Sequence, residues 1–194
     1  MSIAILLLAA GASSRMRGGD KLLETVENAP LVATMAKRAI SLGPTYVTMP
    51  DLQHRRAKAL AGLNVTPIPV PNAIEGMGAS ICAGVNALPT NTQAVMIVLA
   101  DMPDLGTQDM SMTIQSWKKN PDQIHRGTTQ AGIFGHPVVF PARCFDALGR
   151  LKGDSGAGAV LKNERVIPVI LPDEHATTDL DTPEDWKNWR SKFN

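Results

Sequence analysis

Three short stretches of this chain hold residues whose types and spacing suit chemistry on a phosphate. The first is "AAGASSRMRGGDKL", where small and hydroxyl residues separate Gly11 from Arg15, Arg17 and Lys21. Glycine permits close backbone approach, and bare N–H groups in such a loop can cradle phosphate oxygens. Arg15 offers a planar fork for bidentate phosphate contact, and Lys21 a compact positive charge. The loop has neither the G-x-x-x-x-G-K-[ST] phosphate-loop spacing nor the G-x-G-x-x-G dinucleotide spacing. An ordinary strand-to-helix turn with solvated cations is the plainer alternative.

The second stretch is "VLADMPDL", in which Asp101 directly follows an apolar run. A carboxylate there points into a crevice where an unpaired charge is costly. A Mg²⁺ ion shared with substrate phosphates would offset that cost, since one or two carboxylates are its usual protein ligands. Capping of the turn is the alternative role. The third stretch is "TTDLDTPEDW". Asp179 and Asp181 alternate, so an extended segment would turn one of them to the site. Asp181 is the candidate second metal ligand. Thr182 reads as a helix N-cap, with Glu184 and Asp185 complementing the helix dipole.

Two glycine-rich links carry further polar residues. His136 in "IFGHPVVF" stands just before a strand, where a lone histidine more commonly packs or meets solvent. Asp154 and Ser155 in "LKGDSGAGAVL" open a short helix, suited to capping it or to bonding a polar substrate.

These residues need elements to hold them. Residues 3–10 and 94–100 are continuous apolar runs, the pattern of central parallel strands covered on both faces. Residues 46–49, 65–70, 124–126, 138–140 and 166–171 read as further strands, with Pro67 and Pro69 confining 65–70 to an edge. The pieces 124–126 and 138–140 suggest a hairpin. Helical spacing covers 30–41, 52–61, 78–88, 107–119, 142–148, 156–162 and 183–192, with Thr107 as an N-cap. Alternating strands and helices predict an α/β fold, a mostly parallel central sheet flanked by helices. Ligands of such sheets bind beyond the carboxyl ends of the strands, which selects the three stretches above.

The totals narrow the function. A chain of 194 residues suits one domain spanning 1–194, and a net charge of +1 gives no broad electrostatic grip on nucleic acid. Cys82 and Cys144 make no disulfide framework and lack metal-ligand spacing, which points to a reducing compartment. Residues 3–10 are too few to span a bilayer and lack preceding cations, so the expectation is a cytoplasmic protein without membrane contact.

The ordered set "LLLAAGASSRM" with Lys21, "EGMGASICAGV", "VLADMP", "GHPVVF", "GDSGAGAVL" and "DLDTPEDW" resembles the MobA-like nucleotidyltransferases. Within them it looks most like the molybdenum cofactor cytidylyltransferases. That resemblance implies a Rossmann-like fold and transfer of CMP from CTP to the molybdopterin form of the cofactor, with release of pyrophosphate. It implies that Leu8, Ala9, Ala10 and Gly11 hold the nucleotide, that Arg15 and Lys21 face its triphosphate, and that Asp101 and Asp181 bind Mg²⁺. It places Gly76 and Ser80 near base and ribose, and Gly135, His136 and Asp154 toward the acceptor. A transient hand-off to a molybdoenzyme or its maturation chaperone follows from the same likeness. The loop departs from the family pattern where Arg17 replaces a usual glycine. Its Gly18-Gly19-Asp20 run resembles the guanylyltransferase relatives.

Overall fold

In the computed structural model, which describes residues 2–153, 156–162 and 164–193, the first apolar run forms β1 (Ile3–Leu8), buried along its whole length. Successive strand side chains point to opposite faces. Ile3, Ile5 and Leu7 therefore enter the core on one side of the sheet, and Leu6 and Leu8 the core on the other. The second run, β6 (Ala94–Leu99), lies parallel beside β1 and divides in the same way, with Met96 and Val98 against Val95 and Ile97. Burial on both faces is why neither run alternates with polar residues.

On the other side of β1 lie β4 (Thr45–Met49) and then β5 (Val65–Pro69), which is the edge strand its prolines require. Beyond β6, β7 (Ile124–Thr128) and β8 (Phe134–Pro141) form the expected hairpin, and β9 (Val166–Ile170) closes the far edge beside β7. The seven-stranded order is β5-β4-β1-β6-β8-β7-β9, with β8 antiparallel to both its neighbours and the other pairs parallel. Helices α1 (Leu31–Ile40), α4 (Thr107–Lys119) and α7 (Pro183–Ser191) bury Met35, Trp117 and Trp186 on one face. Helices α3 (Met77–Asn86) and α5 (Phe145–Leu148) bury Ile81 and Leu148 on the other. This is the predicted mostly parallel sheet between helical layers. Among the described residues no helix is long and apolar enough to cross a membrane.

The structure differs from the sequence expectations in several places. The helix expected over 52–61 contracts to α2 (Arg55–Ala59), and that over 156–162 to α6 (Gly158–Leu161). Thr107 is the first helical residue of α4 rather than its cap. Gly106 is the cap, and its N–H donates to Asp109 Oδ2 at 2.8 Å. A two-strand ribbon, β2 (Thr25–Val26) with β3 (Ala29–Pro30), is unexpected because its turn residues Glu27 and Asn28 both hold positive φ without a glycine.

The chain runs outward from β1 through β4 to β5 and then resumes on the opposite side of β1 at β6. That reversal opens a crevice at the carboxyl ends of β1 and β6. Loop 9–24 leaves β1 there, and Asp101 leaves β6 there.

Candidate active site

Lys21 is the centre of the crevice. Its Nζ donates to Asp101 Oδ2 and, at 2.5 Å, to Asp181 Oδ1. Arg15 pairs with the other oxygen of Asp181 at 2.6 Å from an exposed position. The N–H of Leu180 donates to the Asp101 carbonyl at 3.1 Å, which fastens the segment bearing Asp179 and Asp181 to the end of β6. Burial alone would lower the pKa of the Lys21 ammonium. The two carboxylates, Asp101 foremost, outweigh burial and raise it, so the ammonium stays charged across the physiological range.

The same carboxylates form an oxygen cluster. One oxygen each of Asp101, Asp179 and Asp181 lie within 4.8 Å of one another. Asp101 Oδ1 is buried with no hydrogen-bond partner among the described residues. Burial raises the pKa of Asp179, and the negative charges of Asp101 and Asp181 raise it further. Crowded hard oxygens with one left orphaned suit a Mg²⁺-class cation. Both Asp179 and Asp181 reach the cluster, contrary to the one-facing expectation. Residues 178–182 form no strand, but residues two apart in an extended segment share a face, so the alternation of Asp179 and Asp181 brings both carboxylates to the same side.

The helix-start reading of "DTPEDW" holds. Thr182 Oγ1 accepts from the Asp185 N–H at 3.1 Å, and Asp185 Oδ2 accepts from the Thr182 N–H at 2.8 Å. Asp185 Oδ2 also accepts from the N–H of Asp181 at 3.2 Å, so the cap of α7 holds a site residue. Glu184 pairs instead with Arg17 at 2.6 Å, both exposed.

The loop after β1 presents bare backbone. Among the described residues no hydrogen bond takes the N–H of Gly11, Ala12 or Ser13. A Cβ added to Gly11 would meet nothing within 4 Å, so the protein's own packing does not require glycine there. The open space over Gly11 belongs to two adjoining recesses. One, of about 180 Å³, is lined by residues 11–15 with Lys21 and Asp181. The other, of about 620 Å³, is lined by Leu8, Ala10, Gly11, Gly76, Ser80 and Asp101, among others. Gly76 caps the start of α3 at φ 121°, a conformation side chains resist. Ala9 does not share the lining. It packs in the core, and its carbonyl faces Arg56.

Arg56 is the residue that sequence reasoning missed. It is 2% exposed, and its guanidinium uses all five donors. Nη1 donates to the carbonyls of Ala9 (2.6 Å) and Gly11 (2.7 Å). Nη2 donates to Ser13 Oγ (2.9 Å) and Asp20 Oδ1 (2.8 Å), and Nε to Asp20 Oδ2 (2.8 Å). Burial would raise the Asp20 pKa, but Arg56, the Leu22 N–H and Ser13 more than offset it and hold the carboxyl below its ordinary value. Arg56 stands in a short polar helix, and no local pattern marks it.

A third cavity of about 200 Å³ lies past β6, where His136 and Arg126 are the polar groups among walls that include Ile81, Ile97 and Phe140. Burial, with Arg126 adding to it, pushes the His136 pKa down to about 4, so the imidazole is neutral near pH 7. Arg126 lies 5.3 Å from the Phe134 ring centre and donates from Nε to the Gly135 carbonyl at 2.9 Å. Gly135 itself is buried. A Cβ there would come within 1.7 Å of the Ala176 carbonyl oxygen, so glycine lets β8 pass the 174–177 turn. Asp154 lies outside the described residues.

A crevice at a strand-order reversal, walled by unbonded amides, two cations and clustered carboxylates, defines with this fold a nucleotidyltransferase. Residues 5–168 match the MobA-like NTP transferase domain, and the chain belongs to that family. It is 26% identical to the purine catabolism protein PucB of Bacillus subtilis (strain 168) over 192 residues, covering 92% of this chain and 91% of that one. The crystal structure of Rv0371c from Mycobacterium tuberculosis H37Rv superposes with a TM-score of 0.85 at 20% identity, covering 98% of both chains. The manganese complex of the same protein gives 0.78 at 19% identity, over 97% of both chains. Molybdopterin-guanine dinucleotide biosynthesis protein A from Archaeoglobus fulgidus gives 0.72 at 15% identity, over 98% of both chains.

Proposed function

We propose that the protein transfers CMP from CTP to the molybdopterin form of the molybdenum cofactor and releases pyrophosphate. The observation that carries the reading is Lys21 held between Asp101 and Asp181 beside a recess of unbonded amides. In this reading a terminal phosphate oxygen of the acceptor attacks the α-phosphorus in line. The new P–O bond forms as the bond to the β-phosphate oxygen breaks, and pyrophosphate departs with that electron pair. The attacking phosphate is already anionic, so the chain supplies position and charge rather than a general base. The neutral His136 fits a role in acceptor binding beside Gly135, and we assign Asp154 to the same role from its motif.

Lys21 and the amides of residues 11–13 would hold the β- and γ-phosphates. Exposed Arg15 can exchange Asp181 for a phosphate at little cost, because surface ion pairs contribute only about 0–1 kcal/mol. Leu8 and Ala10 would shape the floor of the nucleotide cleft, with Ala9 behind it in the core, and Gly76 and Ser80 would lie beside base and ribose. Asp101 and Asp181 would hold a Mg²⁺ ion, with Asp179 adjacent. Bound there, the ion would draw charge from the α-phosphate. The manganese complex of Rv0371c supports a divalent ion in this fold. We place the protein in the cytoplasm, passing its product to a molybdoenzyme or its maturation chaperone.

A second reading, guanylyl transfer, is favoured by the Gly18-Gly19-Asp20 run before Lys21 and by the likeness to the molybdopterin-guanine dinucleotide biosynthesis protein A of Archaeoglobus fulgidus. Pyrophosphate release with molybdopterin cofactor, run side by side with CTP and GTP, separates the two. Faster release with CTP is the expected result. Release with GTP alone would establish the second reading, and release with neither would remove both.

A further inference from the structure

We infer that Arg56 is the positioning residue of the phosphate cradle, acting from behind the loop through its peptide groups. In a trans peptide the C=O and N–H of one unit point in opposite directions. Arg56 Nη1 draws the carbonyls of Ala9 and Gly11 toward itself at 2.6 and 2.7 Å. The N–H groups of the same units, those of Ala10 and Ala12, therefore face away from the guanidinium. Ala10 and Ala12 both line the 620 Å³ cavity, and Ala12 also lines the smaller recess. The bond from Nη2 fixes Ser13, which holds a left-handed conformation at φ 53° and starts the turn.

A guanidinium at the carbonyl end also polarises each peptide unit and makes its N–H a stronger donor. Asp20 keeps the fork from rotating by taking two of its five donors. Lysine cannot replace this arrangement, because an ammonium has three donors and no planar fork. Arg56 therefore sets which way the amides point, while Lys21 and Arg15 supply charge from the open side. A cation 2% exposed, with all five donors bonded to the loop, serves those directed bonds rather than contact with solvent or substrate.

The inference rests on the reading of loop 9–24 as a triphosphate cradle, and the test separates the two. Binding of Mg·CTP and of CMP is measured for the wild type, Lys21→Ala, Arg56→Lys and Asp20→Asn, with Mg·GTP and GMP in parallel. Melting curves report folding. In Arg56→Lys the triphosphate Kd should rise at least tenfold while the monophosphate Kd changes less than threefold. A general loss of structure would weaken both alike. Asp20→Asn, which frees the fork but leaves its carbonyl bonds, should give a smaller rise with the same selectivity. Asp20→Asn carries the test if Arg56→Lys does not fold. A wild type that binds no triphosphate, or a Lys21→Ala variant that binds it normally, removes the cradle reading itself. Normal triphosphate binding in folded Arg56→Lys, or in Asp20→Asn where that is the folded variant, overturns the role of Arg56 alone.

Discussion

Arg17 shows how one position can carry a conformational demand instead of a chemical one. The resemblance to the family leads one to expect glycine there, and the backbone fits that expectation: it is left-handed, at φ 51° and ψ 42°. A side chain in that region costs about 1 kcal/mol. The exposed Arg17–Glu184 pair returns between about 0.2 and 1 kcal/mol. Arg17→Gly should therefore leave the melting temperature within about two degrees of the wild type and leave the KM for nucleotide unchanged. A KM raised severalfold would show that Arg17 touches the triphosphate after all. Lys21, four residues on, is the opposite case, because its environment is built around its charge.

At the scale of elements, strand ends and helix starts place the chemistry. The 94–99 strand delivers Asp101, and the start of the last helix delivers Asp181. Thr182→Ala removes one half of the capping box whose other half, Asp185, holds the N–H of Asp181. It should cost about 1 kcal/mol, a fall of about 2–4 °C in melting temperature, and lower kcat more than it raises KM. An unchanged kcat would separate the cap from the site. These elements were legible in the sequence because their signals are local: unbroken apolar runs, a threonine N-cap, and acids in the first turn of the last helix. The placement of the glycine- and cation-bearing loop at the carboxyl end of the first strand was legible for the same reason. What holds that loop was not. Arg56 meets Asp20 and Ala9 across 36 and 47 residues, a pairing that only the packed chain reveals. The cap at Asp109 and the approach of Asp179 to Asp101 escaped for a related reason, since each depends on how an irregular segment turns.

Across the whole molecule, the buried titratable groups set the response to acid. His136 stays neutral to about pH 4 when folded, whereas an unfolded histidine protonates near 6.5. Between those values the unfolded chain binds the extra proton, so the stability is full above pH 6.5 and is lost as pH falls toward 4. Asp20, depressed by Arg56, adds a loss at still lower pH as it protonates. Melting temperatures recorded from pH 7.5 to 4 should fall, and in His136→Gln they should fall less steeply. Parallel curves for the two proteins would remove His136 from this account. The seven-stranded sheet otherwise serves as a frame that brings loop 9–24, Asp101 and Asp181 to one crevice.

The claim that this crevice performs cytidylyl transfer is tested most directly by following the α-phosphate. Wild type and Asp101→Ala are incubated with CTP labelled at the α-phosphorus, Mg²⁺ and molybdopterin cofactor, with melting curves confirming that both are folded. The account predicts label on the cofactor in step with pyrophosphate for the wild type, and a loss of at least a hundredfold in Asp101→Ala. Label that remains in CTP with the wild type, or transfer at normal rate by folded Asp101→Ala, would contradict it.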